Sequence, residues 1–194
     1  WAHCDVLVIG AGPAGRAAAL TAARTGARVI LADENFVLGG RCLAERRTID
    51  GQPAADWAAQ AIAELRSMPD VRLFPRTTVF GVFDDGVYGA VERVNDHLPV
   101  PPEFQPRQRV WRFIAKQTVL ASGSIERPLV FGNNDLPGIM LAGAVRTYLN
   151  RYAVLPGRRA VVFTDNDDGW TTAADLVAAG GQVAAIVDSR EPVI

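Results

Sequence analysis

The sequence contains little of what metal centres and common catalytic sites require. It has two cysteines, Cys4 and Cys42, which are far apart and form no Cys-x-x-Cys pair. It therefore predicts neither a zinc site nor a dithiol redox pair. The two histidines, His3 and His97, precede a strand and lie at a loop edge, with no acid–base partner evident. We predict no catalytic residues and no metal ligands in this chain.

Blocks of positive charge and long apolar runs are also missing. The chain has 20 Lys and Arg against 21 Asp and Glu, for a net charge of −1. Scattered cations do not neutralise a phosphate backbone, so no nucleic-acid partner is expected. No apolar run approaches the roughly 18–20 residues of a membrane span, and no leader sequence is visible. We expect a cytoplasmic protein without membrane contact. Because the first predicted strand starts almost at once and the chain stops just after Asp188, we also expect a fragment of a longer polypeptide.

What the sequence does contain is a complete nucleotide-binding βαβ pattern at its N-terminus. Residues 5–9 form an apolar run that is typical of a buried parallel strand. The turn Gly10-Ala-Gly12-Pro-Ala-Gly15 follows, then an alanine-rich helix to Thr25 and a strand over 27–32 that ends in Asp33-Glu34. Strand, glycine turn, helix, strand and acid stand in the order that dinucleotide binding requires.

Each part of this pattern has a physical role. Gly10 permits the tight turn, Gly12 removes a Cβ that would block a diphosphate, and Gly15 lets the helix lie close on the sheet. The helix N-terminus offers free N–H groups and a partial positive charge to phosphate. The Asp33 carboxylate can accept hydrogen bonds from a ribose, and it would repel a 2′-phosphate. The pattern predicts NAD or FAD rather than NADP, and it does not decide between NAD and FAD.

A second pair of glycines follows the predicted ribose acid. Gly39 and Gly40 precede Arg41 and Cys42, and a paired glycine here resembles two-dinucleotide flavoproteins, in which it lies close to the diphosphate. In the disulphide reductases of that superfamily a second cysteine follows after four intervening residues, but this chain has Arg47 there. A single thiol does not run dithiol exchange, so we predict that Cys42 is a small apolar core residue.

The middle of the chain predicts a helix and an antiparallel insert. Apolar spacing indicates a helix over 52–68 and a short strand over 71–74. Two further apolar runs, 77–83 and 87–94, flank Asp84-Asp85-Gly86, which is a hairpin signal.

The insert is expected to lead back to the dinucleotide. Residues 109–114 predict a third antiparallel strand, and residues 116–121 predict a separate strand that ends at Ser122-Gly123. In flavoproteins the corresponding strand end approaches the cofactor. The predicted cofactor-binding residues are thus Gly10, Gly12, Pro13, Ala14, Gly15, Asp33, Glu34, Gly39, Gly40, Arg41, Ser122 and Gly123.

The C-terminal part repeats the βαβ layout without its glycines. Strands over 158–163 and 182–188 flank a predicted helix over 171–179. The three glycine positions of the turn hold, in order, Thr164, Asn166 and Gly169. Only the third glycine remains, and that is the one needed for helix–strand packing, so the fold can persist without its ligand.

Acidic side chains crowd this second turn. Asp165, Asp167 and Asp168 suit the helix macrodipole and would repel a diphosphate. Asp188 stands where a ribose acid would be, and Leu176 occupies the position that an EF-hand gives to glutamate. We predict a degenerate second nucleotide-binding domain, one dinucleotide per chain and no NAD(P)H reductase activity.

Several stretches match one group more closely than the superfamily. They are 77–83, 91–98, 123–128, 131–140 and 148–152, which read TTVFGVF, VERVNDHL, GSIERP, FGNNDLPGIM and YLNRY. Together they resemble the α subunit of heterotetrameric sarcosine oxidase and its relatives among the α subunits of amino-acid and opine dehydrogenases. The resemblance runs along essentially the whole chain and is most specific over 123–140.

The resemblance implies a function that the residue pattern does not reveal. Such an oxidase demethylates sarcosine to glycine, with hydrogen peroxide and transfer of a one-carbon unit to tetrahydrofolate. Its α subunit carries NAD, while FAD and FMN are expected elsewhere in the complex with the β and smaller subunits. This chain would then hold a dinucleotide and partner contacts, and would not be catalytic alone. The alternatives are a free-standing FAD-dependent NAD(P)H oxidoreductase and a structural dinucleotide-binding scaffold subunit.

The predicted fold class is α/β. A Rossmann-like FAD/NAD(P)-binding domain, with a parallel sheet and an antiparallel insert, is expected over residues 1–128. A connector over 129–157 leads to part of a degenerate nucleotide-binding βαβ domain over 158–194, which lacks its glycines.

Overall fold

The computed structural model describes residues 1–191, and the chain divides into two compact units. The first unit contains residues 1–42 and 48–123. The second contains residues 43–47 and the chain from Ser124 onward. This is a division by packing. The dinucleotide-binding domain over 1–128, the connector over 129–157 and the degenerate domain over 158–194 stay predictions.

The first unit is an α/β fold built on one mixed sheet. Its elements, in chain order, are β1 (Ala2–Ile9), α1 (Pro13–Arg24), β2 (Val29–Ala32), β3 (Thr48–Ile49), β4 (Gln52–Pro53), α2 (Ala54–Ser67), β5 (Val71–Phe74), β6 (Thr77–Phe83), β7 (Val87–Arg93) and β8 (Gln108–Leu120). The strand order in the main sheet is β5-β2-β1-β8-β7-β6. The first four of these strands are parallel, and β7 and β6 add an antiparallel hairpin.

Strand β1 lies in the middle of the sheet because both of its faces are apolar. Leu7 and Val8 point to opposite faces, and both are fully buried. Val8 belongs to the core that α1 and α2 cover, together with Leu65, while Leu7 packs with Phe113 on the other face. Burial on both faces gives the continuous apolar run from which the sequence predicted a parallel strand.

Strand β8 corrects one prediction. The two strands predicted over 109–114 and 116–121 are a single strand of 13 residues. No glycine or proline interrupts it, and Ala115 at the junction is buried in the sheet. The first half of β8 pairs antiparallel with β7, and its second half runs parallel to β1. One strand therefore connects the hairpin to the carboxyl end of β1.

The hairpin between β6 and β7 has the predicted turn. Asp85 and Gly86 both have positive φ, 58° and 69°, which is the backbone form that an Asp-Gly pair favours in tight hairpins. A Cβ at Gly86 would lie 2.5 Å from the carbonyl oxygen of Ala115. Glycine is needed at position 86 both for its φ and for this close approach.

The second unit is a small parallel βαβ motif with helical turns before it. Its elements are α3 (Ala142–Arg146), a π-helical turn (Thr147–Arg151), β9 (Arg159–Thr164), α4 (Asp167–Ala178) and β10 (Gln182–Asp188). Strands β9 and β10 pair in parallel. Helix α4 begins four residues earlier than predicted, because Asn166 caps it by accepting a hydrogen bond from the N–H of Asp168.

The described helices are short. Helix α2, the longest among residues 1–191, has 14 residues. Across those residues no helix combines the length and the apolar character that a membrane crossing needs.

Candidate dinucleotide-binding site

The predicted glycine turn lies where β1 ends and α1 begins. Gly10 has a φ of 101°, and its N–H donates to the carbonyl oxygen of Ala32 at 2.8 Å. A Cβ at position 10 would lie 2.3 Å from the carbonyl oxygen of Ala121 at the end of β8. Glycine is required here because the backbone conformation is left-handed and a neighbouring main chain is in contact.

Helix α1 packs closely against the end of β1 because Gly15, the third glycine of the turn, has no side chain. A Cβ at Gly15 would lie 1.8 Å from the carbonyl oxygen of Gly10. Gly12 is the N-cap, Pro13 is the first helical residue, and the Gly12 carbonyl accepts a hydrogen bond from Arg16 N–H at 3.0 Å. This packing is the role that the sequence predicted for Gly15.

The paired glycines meet the turn at Gly12. Gly40 has a φ of 53°, and a Cβ there would lie 2.7 Å from the Cα of Gly12. On its own free side Gly12 has no atom within 4 Å of the place where a Cβ would be. The N-terminus of α1 therefore presents bare main chain on one side and is backed by a second glycine on the other.

Asp33 is held firmly at the end of β2. One carboxylate oxygen accepts a hydrogen bond from the N–H of Ala11 at 2.7 Å, and the other accepts one from the N–H of Asn35 at 2.8 Å. The residue is 9% exposed. Two carboxylate oxygens offer about four lone-pair positions, so two remain for ribose hydroxyls.

The other predicted residues surround the same strand ends. Ser122 follows β8 with its Cα 3.1 Å from the Cβ position of Gly10, and Gly123 beside it has a φ of 73°. Gly39 is buried beside Gly40. Exposed positions at this end of the unit are Ala14, Glu34, Arg41, Ser122 and Gly123.

This geometry fits the diphosphate of a dinucleotide. The first turn of α1 carries no acidic residue, so no side chain of that turn repels an anion. Gly12 lacks the Cβ that would stand between phosphate and main-chain N–H groups, and the ribose acid lies one strand away. The residues that would hold the cofactor are main-chain groups from Gly12 to Gly15 and the carboxylate of Asp33.

Sequence reasoning missed a buried charge under this site. Arg16 is fully buried, donates from Nη2 to the Cys42 sulphur at 3.2 Å, and lies 4.7 Å from the ring centre of Trp57. Cys42 does pack as a small core residue, with Ala54 and Ala58, and it is also a hydrogen-bond acceptor. The available signal was a cation in the first turns of a helix, where the macrodipole disfavours positive charge.

The turn between β9 and α4 has the same helix–strand packing as the turn between β1 and α1, but its main chain is not open to a ligand. A Cβ at Gly169 would lie 2.3 Å from the Cβ of Thr164, so α4 lies on β9 as α1 lies on β1. The Thr164 hydroxyl accepts a hydrogen bond from the N–H of Asn166 at 3.1 Å, and the Asn166 side chain caps the helix. Side chains of this chain thus take the main-chain N–H groups that a phosphate would need.

The acids around the second turn pair with neighbouring donors. Asp188 accepts hydrogen bonds from Trp170 Nε1 at 2.7 Å and from Arg190 Nη2 at 2.7 Å. Arg190 also donates to Asp167 at 2.8 Å. These bonds, the one from Arg190 foremost, hold the pKa of Asp188 well below its usual range. Asp188, at the ribose-acid position of this motif, therefore already accepts hydrogen bonds from a tryptophan and an arginine of the same unit.

A cavity of about 840 Å³ lies beside this turn within the second unit. Its lining is largely apolar and includes Phe131, Met140 and Phe163, with Asp165 and Asn166 among its polar members. Among residues 1–191, no group of three or more His, Cys, Asp or Glu side chains is placed to hold a metal ion.

Comparison with known proteins finds similarity to FAD dependent oxidoreductases and to subunits of two kinds of oxidase. Residues 5–94 match the family model described as FAD dependent oxidoreductase. The chain is 59% identical to the sarcosine oxidase alpha subunit of Rhizobium meliloti (strain 1021), over 98% of this chain and 19% of that protein. It is 33% identical to an opine oxidase subunit of Agrobacterium tumefaciens (strain Ach5), over 96% of this chain and 37% of that protein.

A solved structure agrees with the fold. The L-proline dehydrogenase from P. horikoshii superposes with a TM-score of 0.77 and 25% identity, over 98% of this chain and 37% of that chain. The predicted α/β Rossmann-like fold class is confirmed. The resemblance to sarcosine oxidase α subunits, with a weaker one to an opine oxidase subunit, is confirmed as well. The chain spans about a fifth of the length of the sarcosine oxidase subunits that it matches.

Proposed function

We propose that this chain is the dinucleotide-binding portion of a sarcosine-oxidase-type α subunit, and that it holds NAD in its first unit. The complete complex would demethylate sarcosine to glycine, with hydrogen peroxide as a product and a one-carbon unit passed to tetrahydrofolate. FAD or FMN elsewhere in the complex would accept the electrons. This chain would bind and orient the dinucleotide and contact the other subunits.

The observation that carries the proposal is the open main chain at Gly12. It lies at the carboxyl end of β1, opposite Gly40 and next to Asp33, which is where open α/β sheets bind dinucleotides. The high identity to a sarcosine oxidase alpha chain supports an oxidase complex as the setting.

NAD and FAD share the ADP half that this site would contact, so the main chain and Asp33 accept either. The family model favours FAD, and the resemblance to sarcosine oxidase α subunits favours NAD. The deciding experiment is mass spectrometry of the ligand that the purified chain releases on denaturation. A mass for NAD supports the proposal, and a mass for FAD assigns the site to a flavin. If the chain releases no dinucleotide, the proposal is contradicted.

The proposed partners are the β and smaller subunits of a heterotetrameric oxidase in the cytoplasm. The relatives are named as subunits, which supports an assembly rather than a lone enzyme. Co-expression with a β subunit, followed by sizing of the product, would test this. A chain that stays unassociated under these conditions would speak against it.

The match to FAD-dependent oxidoreductases favours one alternative, a free-standing FAD-dependent NAD(P)H oxidoreductase. That enzyme needs a second nucleotide site, and the second turn here is filled by Thr164 and Asn166 side chains. Stopped-flow mixing with NADH separates the two functions. Rapid bleaching of a bound flavin would support the reductase and reject the proposed function.

A structural scaffold subunit is the remaining alternative, and Gly12→Val distinguishes it. The valine side chain would enter the open face where the diphosphate is expected. Loss of assembly with normal turnover in the residual complex would support a purely structural dinucleotide. Normal assembly with altered turnover would assign it a role in the reaction.

A further inference from the structure

Arg16 is a charged side chain enclosed by the first unit, and no carboxylate of residues 1–191 forms an ion pair with it. It is the fourth residue of α1 and is fully buried. Its Nη2 donates to the sulphur of Cys42, and its guanidinium stacks on Trp57. Within residues 1–191 its Nε and Nη1 reach no hydrogen-bond acceptor. A thiol is a weak acceptor, so the cation is only partly compensated by these neighbours.

Two physical effects oppose a cation at this place. Burial removes the water that would stabilise the charge, and this desolvation lowers the pKa of Arg16, while Cys42 and Asp33 act in the opposite direction. The position near the helix N-terminus also sets the cation against the positive end of the macrodipole. An anion bound at this helix end would offset both effects.

The position of Arg16 points to that anion. Arg16 directly follows Gly15 and donates its backbone N–H to Gly12, and long side chains in a helix lean back towards its N-terminus. Its partner Cys42 stands two residues after Gly40, which packs on Gly12. Arg16 is thus linked to both glycine segments of the predicted diphosphate site, through its backbone N–H to Gly12 and through Cys42 to the segment that carries Gly40.

We propose that Arg16 supplies the buried positive charge that the diphosphate of the bound dinucleotide neutralises. It acts through its charge and without touching the ligand, and it adds to the positive potential at the N-terminus of α1. This assignment rests on the proposed function. The ligand class that it selects is a dinucleotide or nucleoside diphosphate, in preference to an uncharged nucleoside.

The test compares ligands with and without the diphosphate. Dissociation constants for NAD, FAD, ADP and adenosine are measured by calorimetry on the ligand-free full chain, for the wild type, Arg16→Met, Arg16→Lys and Cys42→Ala. We expect Arg16→Met to weaken ADP and the bound dinucleotide at least tenfold and to change adenosine less than twofold. Arg16→Lys keeps the charge and should retain most of the affinity, and Cys42→Ala keeps the cation and should retain the preference for ADP.

The dependence of ADP affinity on salt is a second measurement, which a change in packing alone would not affect. Affinity of the wild type for ADP should fall as ionic strength rises, and that fall should be smaller in Arg16→Met, because one cation has been removed. Equal salt dependence in both proteins would overturn the assignment. An equal loss of ADP and adenosine binding in Arg16→Met would also overturn it, because it indicates a structural role.

Two further outcomes separate this assignment from the proposed function. If the wild type binds none of NAD, FAD and ADP, the proposed function fails and Arg16 has no diphosphate to meet. If the wild type binds and Arg16→Met binds equally well, the assignment alone fails. Should Arg16→Met not fold, Arg16→Gln is a second neutral variant, and misfolding of both would show that Arg16 is structural.

Discussion

Gly15 and Gly10 are in such close contact that a methyl group on Gly15 would overlap the carbonyl oxygen of Gly10, at 1.8 Å. The second unit repeats this relationship between Gly169 and Thr164, at 2.3 Å from Cβ to Cβ. Helix–strand packing is therefore common to both βαβ motifs. What separates them is the chemistry of the turn between strand and helix.

Substitution of Gly15 should destabilise the fold. In Gly15→Ala the helix must move away from β1, and overpacking of this kind costs about 1–3 kcal/mol of unfolding free energy. Urea denaturation followed by fluorescence would measure the loss. Gly12→Ala is the matched control, because its Cβ points into open space and Gly-to-Ala changes at compatible sites alter stability by about 1 kcal/mol or less. Equal destabilisation by both variants would contradict this account of the packing.

Gly12→Ala should instead lower ligand affinity. The added methyl group enters open space at the start of α1, where the first N–H groups of a helix have no intrahelical partner. A tenfold weaker affinity corresponds to about 1.4 kcal/mol. We expect at least that loss for the bound dinucleotide, measured by calorimetry on a variant whose melting temperature is close to the wild type's. Unchanged affinity would mean that the diphosphate lies elsewhere.

One chain should bind one dinucleotide. The turn of the second unit holds Thr164 and Asn166 where bare main chain is needed, and Asp188 is already bonded to Trp170 and Arg190. Calorimetric titration should give a stoichiometry of one, and Gly12→Val should reduce it towards zero. A stoichiometry of two, or binding that survives Gly12→Val, would show that the cavity beside the second turn accepts a nucleotide.

Stability should decline in acid partly through Asp188. Its folded-state pKa is lowered by Arg190 and Trp170, whereas an unfolded aspartate has a pKa of about 3.9. The unfolded state therefore takes up the proton first, so the contribution is present above about pH 4 and is lost as the pH falls below it. Asp188→Asn should flatten the pH dependence of the melting temperature between about pH 5 and pH 2 relative to the wild type.

Asp165→Asn is the control for that comparison. Asp165 accepts a hydrogen bond from the adjacent Asn166 side chain and lies on the surface. Its replacement should leave the acid branch of the stability profile close to that of the wild type. If both variants flatten the profile alike, the effect belongs to the net charge of the turn and not to the bonds made by Asp188.

The native thiols should react slowly. Burial raises the pKa of Cys4 to about 11, so the reactive thiolate is scarce at pH 8. Cys42 is fully enclosed. A chromogenic thiol reagent should label neither residue within minutes in native buffer and both in guanidinium chloride. Rapid labelling of one thiol in the native state would show that its surroundings open readily.

The sequence predicted those parts of the fold whose signals are local. Glycine spacing and apolar runs located β1, α1 and β2, and Asp85-Gly86 marked the hairpin, because each requires a particular backbone conformation within a few residues. Strand β8 was divided wrongly, since only its two different partners distinguish its halves and they lie far away in sequence. Helix α3 was not predicted, because five residues give too short a periodic signal.

The candidate site also shows that local signals were predictable and contacts between distant residues were not. The positions of Gly10, Gly12 and Gly15 were read from spacing alone, since the turn needs glycine whatever surrounds it. The burial of Arg16 against Cys42 and Trp57 was not predictable, because the three residues come from separate elements. Pairing of Asp188 with Arg190 was equally hidden, since a carboxylate and a guanidinium two residues apart usually face solvent.

The length and register of strand β8 link the position of the hairpin to the position of the end of β8. Its 13 residues span about 40 Å at roughly 3.3 Å per residue, and they set how far Ala121 and Ser122 extend past β1. A slip of one residue against β7 would move that end by about 3.3 Å and turn its side chains to the opposite face. Substitutions at the Asp85-Gly86 tip, which contacts β8 at Ala115, would then be expected to shift Ala121 and Ser122 through the main chain of this one strand.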